Sequence, residues 1–521
     1  MSSNQRLILA MAISFAFFMV YTTIFPPKPL EKDQNTTINA ATVNNPASVK
    51  TGTSVDLGHD VTATTSTSSD DAILTTLTGS NYILTIDTLG RIAQKEMLEE
   101  KFADEDTGNA KLVAQTGAKP LYIRFQDKAL NDEAIRTAYT ANVKKADLVD
   151  GHVSVTLTQK LSQLTVTKDL TFYSDGHYDA KISLSEDKRY YVYLGMHPTF
   201  SDKQMMAVEG AMIDTGDHLI TIVEDGDADV MTSYNNVNLA SSFSQYFASI
   251  FYGIGKDTTV KIDRDRDENP VVFMEGMQNF TFNGYIGPKD YKILNAINPD
   301  LTNAIEYGWF TFAAAPLFQL LMFLHGIVGN WGWSIVMLTL IIRVVLFPLT
   351  FRGMLSMAKL KEVSPKVKEL QAKYKSNPQR MNAAVMELYK KEGANPLGGC
   401  LPLLMQIPVF FAIYRVLLNA VELKGAEWTL WITDLAHMDP TFVLPILMGA
   451  SMYYQQRITP SNFTDPMQEK IFKYLPIVFT FFFVTFPAGL VLYWLVNNIF
   501  SILQQFVVNK KFEAHKKAKE E

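Results

Sequence analysis

At 521 residues the chain is long enough for two or more domains, and a mean hydropathy of +0.03 with a pI near 5.8 would suit a soluble protein. The charge excludes that simple reading: Lys+Arg against Asp+Glu runs 2 to 0 over residues 1–29, 24 to 39 over 30–300 and 21 to 14 over 301–521. An acidic block between basic, apolar ends is the asymmetry that orients a membrane protein, and the single cysteine, Cys400, excludes an intrachain disulfide.

Residues Leu7 to Phe25 are an apolar run behind Arg6, broken by Pro26 and Pro27. The run is longer than a secretory h-region and has no A-x-A-like site after it, so residues 1–29 read as an uncleaved transmembrane anchor with the N-terminus inside. Residues 30–72 are rich in Ser, Thr and Asn and cannot bury enough apolar surface to order themselves, which predicts a flexible linker. Over 73–300 the pattern becomes short alternating runs such as YILTID, HVSVTLTQ and YDAKISLS, with turn pairs Asp150-Gly151 and Asp175-Gly176. This predicts a large, all-β sandwich lying outside the membrane, kept away from the spans by its tether and acidic surface.

Chemistry is sparse in that domain. Gly253-Ile254-Gly255-Lys256 lacks the first glycine of a phosphate loop and has Asp257 where the loop needs Ser or Thr. His152, His177, His197 and His218 have no metal-ligand spacing. Asp263, Asp265, Asp267 and Glu268 alternate with Arg264 and Arg266, as in a solvated turn.

Residues 301–328 are apolar and aromatic but interrupted by Pro316, and read as an amphipathic helix in the outer interface, anchored by Tyr307, Trp309 and Phe310. The next run, about 331–349, has the length of a transmembrane helix and carries one charge, Arg343, nine residues before the basic segment that opens at Arg352. That places Arg343 roughly 13 Å inside the cytoplasmic boundary, where an arginine costs about 2.5–3.5 kcal/mol. It either snorkels toward the headgroups or lines a water-filled cavity. Residues 352–395 hold ten Lys/Arg against four Glu, including Lys359, Lys361, Lys366 and Lys368. They predict a cytoplasmic hairpin of two helices, about 353–375 and 378–392, with Leu360, Val363, Val367, Leu370 and Tyr374 on one face and a kink or restart at Pro365. Such charges are first of all the positive-inside signal, and an additional role in touching RNA, lipid headgroups or a nascent chain would use the same charges.

Four further spans follow, about 401–420, 441–456, 471–486 and 490–508, then a basic cytoplasmic tail, 509–521. Two are only 16 residues long, which implies a locally thinned bilayer. Their polar load includes Gln406, Gln455, Gln456, Asn497, Asn498, Gln504 and Gln505, besides Thr339 of the first core span. Interhelical hydrogen bonding and a wet cavity both explain it. No span carries a carboxylate, which disfavours an ion-coupled transporter.

The runs GNWGWSIVMLTLIIR, FPLTFRGMLSMAKLKEVSPKVKEL, NPLGGCLPLLMQIPVFFAIYRVL and DPMQEKIFKYLPIVFTFFFVTFPAGLVLYWLVNNIFSILQQ resemble the YidC/Oxa/Alb membrane-protein insertases, in the form found in Gram-negative bacteria. The resemblance implies six transmembrane helices, five of them a core (329–508) around a hydrophilic groove open to cytoplasm and lipid, with a periplasmic β-supersandwich. It implies Arg343 as the groove arginine and matches Trp494 and Gln455 to groove positions, beside Thr339, Gln406 and Asn498. It implies insertion of nascent inner-membrane proteins, alone or with the Sec translocon, reached from the ribosome and signal recognition particle pathway. No enzyme activity, metal or cofactor is implied. The alternatives are a secondary transporter with a β domain and an anchored periplasmic glycan-binding module.

Overall fold

The computed structural model describes residues 72–104, 108–148, 151–198, 207–216, 219–305, 311–374, 377–393, 401–459 and 466–520. The expected anchor, nearly all of the linker, Asp150, His218, the aromatics Tyr307, Trp309 and Phe310, and Cys400 lie outside them.

The alternating runs are strands because a period of two puts every second side chain on one face of a sheet. In His152–Lys160, Val155, Leu157 and Gln159 are buried while the residues between them are not. Among the described residues, the largest sheet has nine antiparallel strands, with the order Ile220–Glu224, Gly210–Thr215, Val237–Phe243, Phe247–Tyr252, Asn279–Pro288, His177–Leu184, Thr165–Tyr173, His152–Lys160, Thr140–Ala141. Gly176, at φ +97°, supplies the turn expected at Asp175-Gly176. A five-stranded and a four-stranded sheet pack against it, and one apolar core joins all three. The mixed-charge run ends a strand and turns, with Asp265 accepting from the amides of Asp267 and Asn269 and Arg264 pairing with Glu268, but it is only partly solvated, since Asp263 and Asp265 are buried.

The chain leaves the β domain through a short helix, α1 (Tyr291–Ile297), whose first amides are capped by the Asp290 carboxylate. Seven longer helices follow among the described residues: α2 (Thr311–Val328), α3 (Trp331–Lys373), α4 (Pro378–Lys391), α5 (Leu401–Asn419), α6 (Val443–Ile458), α7 (Pro466–Phe483) and α8 (Ala488–Glu520). By length and composition, α2, α3 and the 488–514 part of α8 suffice to cross a membrane, and α5 and α7 contain shorter apolar stretches.

Three expectations change. First, α3 runs unbroken through the boundary expected between span and hairpin, with both Pro348 and Pro365 inside it. A proline removes one donor, but packing on either side holds the helix together: α8 lies along the membrane part of α3, and α4 lies against its C-terminal part. Second, α8 likewise continues through residue 508 into the basic tail. Third, the described helix of this segment, α2, follows a 3-10 turn at Pro299–Ala304 and is not amphipathic. Ala314, Phe318, Leu321 and Leu324 face the bundle while Phe312, Phe323 and Ile327 are exposed, so both faces are apolar.

A second apolar core runs from the outer face of the nine-stranded sheet (Leu239, Phe243, Ile250) through Leu294 and Leu301 into the bundle. The β domain is therefore docked on one end of the helices. Gln245 Nε2 donates to the Leu418 carbonyl at 2.9 Å, and the Tyr291 amide donates to Glu422 at 2.9 Å.

Candidate functional site

Arg343 projects from α3 into the bundle and is only 6% exposed. Its Nε donates to Asn497 Oδ1 of α8 at 2.7 Å. Among the described residues no carboxylate forms an ion pair with it. A guanidinium carries five N–H donors, and a neutral amide oxygen answers only part of that demand. Beside it is a cavity of about 20 Å³, room for roughly one water. Its lining includes Leu346, Thr350, Gln406, Tyr493 and Asn497. A buried cation without a counter-ion is costly, so this wall is where water or an incoming negative group gains most. The inward pairing to Asn497 is also the opposite of snorkelling.

The other residues expected in the groove divide into two groups. Gln406 of α5 lines the same cavity as Arg343. Thr339, one turn before Arg343, is buried and directs its hydroxyl to the Ile335 carbonyl at 2.7 Å, within its own helix. Asn498 does not line the cavity; its amide donates to Ser451 Oγ of α6 at 3.1 Å. The reason is geometric. Adjacent helical residues point ~100° apart, and α8 runs between α3 and α6, so Asn497 and Asn498 serve different neighbours. Gln455 is half-buried on α6, which α8 separates from α3. Trp494 stands edge-on to Phe410 at 4.8 Å and packs on Phe483 at 5.0 Å, joining α5, α7 and α8 in an aromatic cluster beside Tyr493. Arg415 of α5 is half-buried, with its Nη1 enclosed by protein.

Sequence reasoning named Asn497 only as part of the polar load of the spans, and did not single out Tyr493 or Thr350. The available signal was periodicity: Tyr493, Asn497, Ser501 and Gln504 recur at steps of three and four, one face of α8. Ser501 donates to the Asn497 carbonyl at 2.9 Å, and Gln504 Nε2 donates to the Arg343 carbonyl at 3.3 Å. That last carbonyl lies next to the one Pro348 deprives of its usual donor.

In the hairpin, Leu360, Val363 and Val367 pack on Val385, Leu388 and Tyr389. Lys361, Lys366 and Lys368 are consequently exposed, and Lys359 is half-buried. Lys366 binds Glu392 at 2.7 Å and ties the two arms together. Among the described residues of the helices, no three side chains are placed to hold a metal ion.

Residues 323–517 match a family model described as 60Kd inner membrane protein, and residues 244–320 match one described as YidC periplasmic domain. A membrane protein insertase YidC of Campylobacter jejuni is 45% identical over 522 residues, covering 99% of this chain and 98% of that protein. The corresponding protein of Wolinella succinogenes is 46% identical over 519 residues, covering 99% and 96%. That of Helicobacter pylori is 44% identical over 545 residues, covering 99% and 98%.

Proposed function

Because the chain belongs to the YidC family of membrane protein insertases, we propose that it inserts nascent proteins into the bacterial inner membrane through the polar wall around Arg343. The observation that carries this reading is the buried Arg343, which faces Asn497 and a small, largely apolar cavity and has no carboxylate paired with it among the described residues. On this reading the groove opens to cytoplasm and lipid, with Gln406 on its wall and Thr339, Gln455, Trp494 and Asn498 framing it. An incoming acidic or polar segment is drawn part-way in, where the low dielectric strengthens the attraction of the arginine. Thinned bilayer around the short helices α6 and α7 lowers the remaining barrier. The substrate's own apolar helix then partitions into lipid, at roughly 25 cal/mol per Å² buried, and drives the event without covalent chemistry.

The orientation follows from charge. The hairpin and both termini face the cytoplasm, and the β domain is periplasmic. Residues 1–29 anchor the chain and 30–72 form the linker. Lys359, Lys361, Lys366 and Lys368 offer a positive face to a ribosome or nascent chain, and substrates reach it alone, with the Sec translocon, or from the signal recognition particle pathway.

The test is reconstituted insertion of a single-span substrate with an acidic or a neutral translocated tail. Arg343→Lys should retain activity, and Arg343→Leu should lose most of it for the acidic tail and far less for the neutral one. Equal rates for wild type and Arg343→Leu on both tails would remove the groove charge from the mechanism.

A further inference from the structure

The β domain brings together three ligand-type side chains that insertion does not use. His197 follows the strand Tyr190–Gly195 of the five-stranded sheet. Glu209 immediately precedes the strand Gly210–Thr215 and Asp225 immediately follows Ile220–Glu224, the pair at the edge of the nine-stranded sheet. The ladder sets the two carboxylates side by side, because Gly210 is opposite Glu224 and the Asp225 amide donates to the Glu209 carbonyl at 3.0 Å. One ligand atom from each of His197, Glu209 and Asp225 lies within 4.8 Å of the other two. His197 is 9% exposed, and its Nε2 is 2.8 Å from Asp225 Oδ2.

Two atoms of this cluster are enclosed and have no hydrogen-bond partner among the described residues: Asp225 Oδ1 and His197 Nδ1. An enclosed carboxylate oxygen without a donor is unfavourable, and a cation would answer it.

We propose that His197, Glu209 and Asp225 bind one divalent transition-metal ion, with zinc the best match, and that the ion fastens the edge hairpin to the five-stranded sheet. The donor set supports that class. One imidazole nitrogen and two carboxylates suit zinc at bonds of about 2.0–2.2 Å, whereas calcium and magnesium take oxygen ligands. The two carboxylates also balance the ion's charge. Donors on a tetrahedron with such bonds stand about 3.4 Å apart, so on binding the widest separation closes by roughly 1.4 Å at most, while His197 Nε2 and Asp225 Oδ2, now in direct contact, move slightly apart. Glu209 and Asp225 are only half-buried, and side-chain rotation can supply that movement. The three ligands leave the remaining position to water. No sequence motif announces the site, since its members are 12 and 16 residues apart and the two sheets bring them together.

The test uses the full-length protein in detergent, stripped with a chelator and titrated with zinc chloride. Bound metal is measured by elemental analysis and the unfolding temperature by circular dichroism. The wild type should take up one zinc per chain and unfold at a higher temperature. Asp225→Asn and Glu209→Gln keep the side-chain shapes but remove an anionic ligand. Each should weaken zinc binding by roughly tenfold or more and abolish the thermal shift, with insertion unchanged. No saturable zinc in the wild type, or the same uptake in both variants, would overturn the proposal.

Discussion

Arg343 and Lys168 are both basic side chains buried away from water, and their surroundings give them different consequences. Lys168, fully buried in the β core, donates to the carbonyls of Gly90 and Leu121, each at 2.8 Å, and lies 4.7 Å from the centre of the Tyr139 ring. Its contacts are fixed and complete, so it staples two loops to the sheet, whereas Arg343 keeps donors that an incoming group can use. Burial pushes the Lys168 ammonium down to about 7, against the upward pull of Asp87. An unfolded lysine titrates near 10.4, so between about pH 7 and that value only the unfolded chain holds the proton. Stability must therefore rise with pH across this window, by up to about 1.4 kcal/mol per pH unit. Lys95, pushed down to about 7 by its own burial, acts in the same direction. Lys168→Met should flatten the rise between about pH 7 and 9, and should cost about 1–3 kcal/mol through the two carbonyls it leaves unanswered. Denaturant unfolding of the full-length protein at several pH values measures both effects. A slope identical to wild type would assign the pH dependence to other groups.

At the scale of elements, the two adjacent asparagines of α8 separate packing from function. Asn498 ties α8 to α6 through Ser451, an interhelical hydrogen bond of a kind that contributes about 0.6 kcal/mol on average. Asn497 is the side chain Arg343 binds. Asn498→Ala should thus lower thermal stability slightly and leave the preference for acidic tails intact. Asn497→Leu should impair insertion of those tails more than it lowers stability. Insertion assays beside thermal unfolding of the same preparations separate the two, and equal defects from both substitutions would refute the distinction. The division was not legible in the sequence, because both asparagines register alike as polar load until neighbouring helices are assigned to each face. What was legible had a strong period: the strands by alternation, and the hairpin contact by Leu360, Val363 and Val367, which pack as the 3- and 4-residue steps imply. The ends of α3 and α8 were not legible, since Pro348, Pro365 and the basic tail are local stop signals that tertiary packing overrides. For His197 the missing information was again spatial, as its neighbours arrive from another sheet.

For the whole molecule, the decisive feature is the joint between β domain and bundle. On α5, Gln406 lines the arginine cavity while Leu418 receives the hydrogen bond from Gln245, twelve residues or about 18 Å along the helix. This contact of the domain thus lies well away from the arginine cavity along α5, and the domain is docked and not merely tethered. Removing residues 80–280 should leave insertion largely intact but lower the thermal stability of the bundle, because Leu239, Phe243 and Ile250 cover its end. Complete loss of insertion by a stably expressed truncated chain would contradict this. Within the joint, Glu422 accepts from the Tyr291 amide, and burial with the neighbouring Asp290 pushes its carboxyl up to about 7, while the Tyr291 hydrogen bond and Lys101 pull it down. An unfolded glutamate titrates near 4.3, so between about 4.3 and 7 the docked form holds a proton that the free form has released. Docking must weaken as pH rises through that interval. Glu422→Gln keeps an acceptor for Tyr291 and removes the titration, so the joint should become insensitive to pH there. Hydrogen exchange of the α1 amides in the full-length protein, corrected for intrinsic rates, reads this at about pH 5.5 and 7.5. Wild type should lose protection at the higher pH and the variant should not. The same pH response in both proteins would show that Glu422 is not the group that loosens the joint.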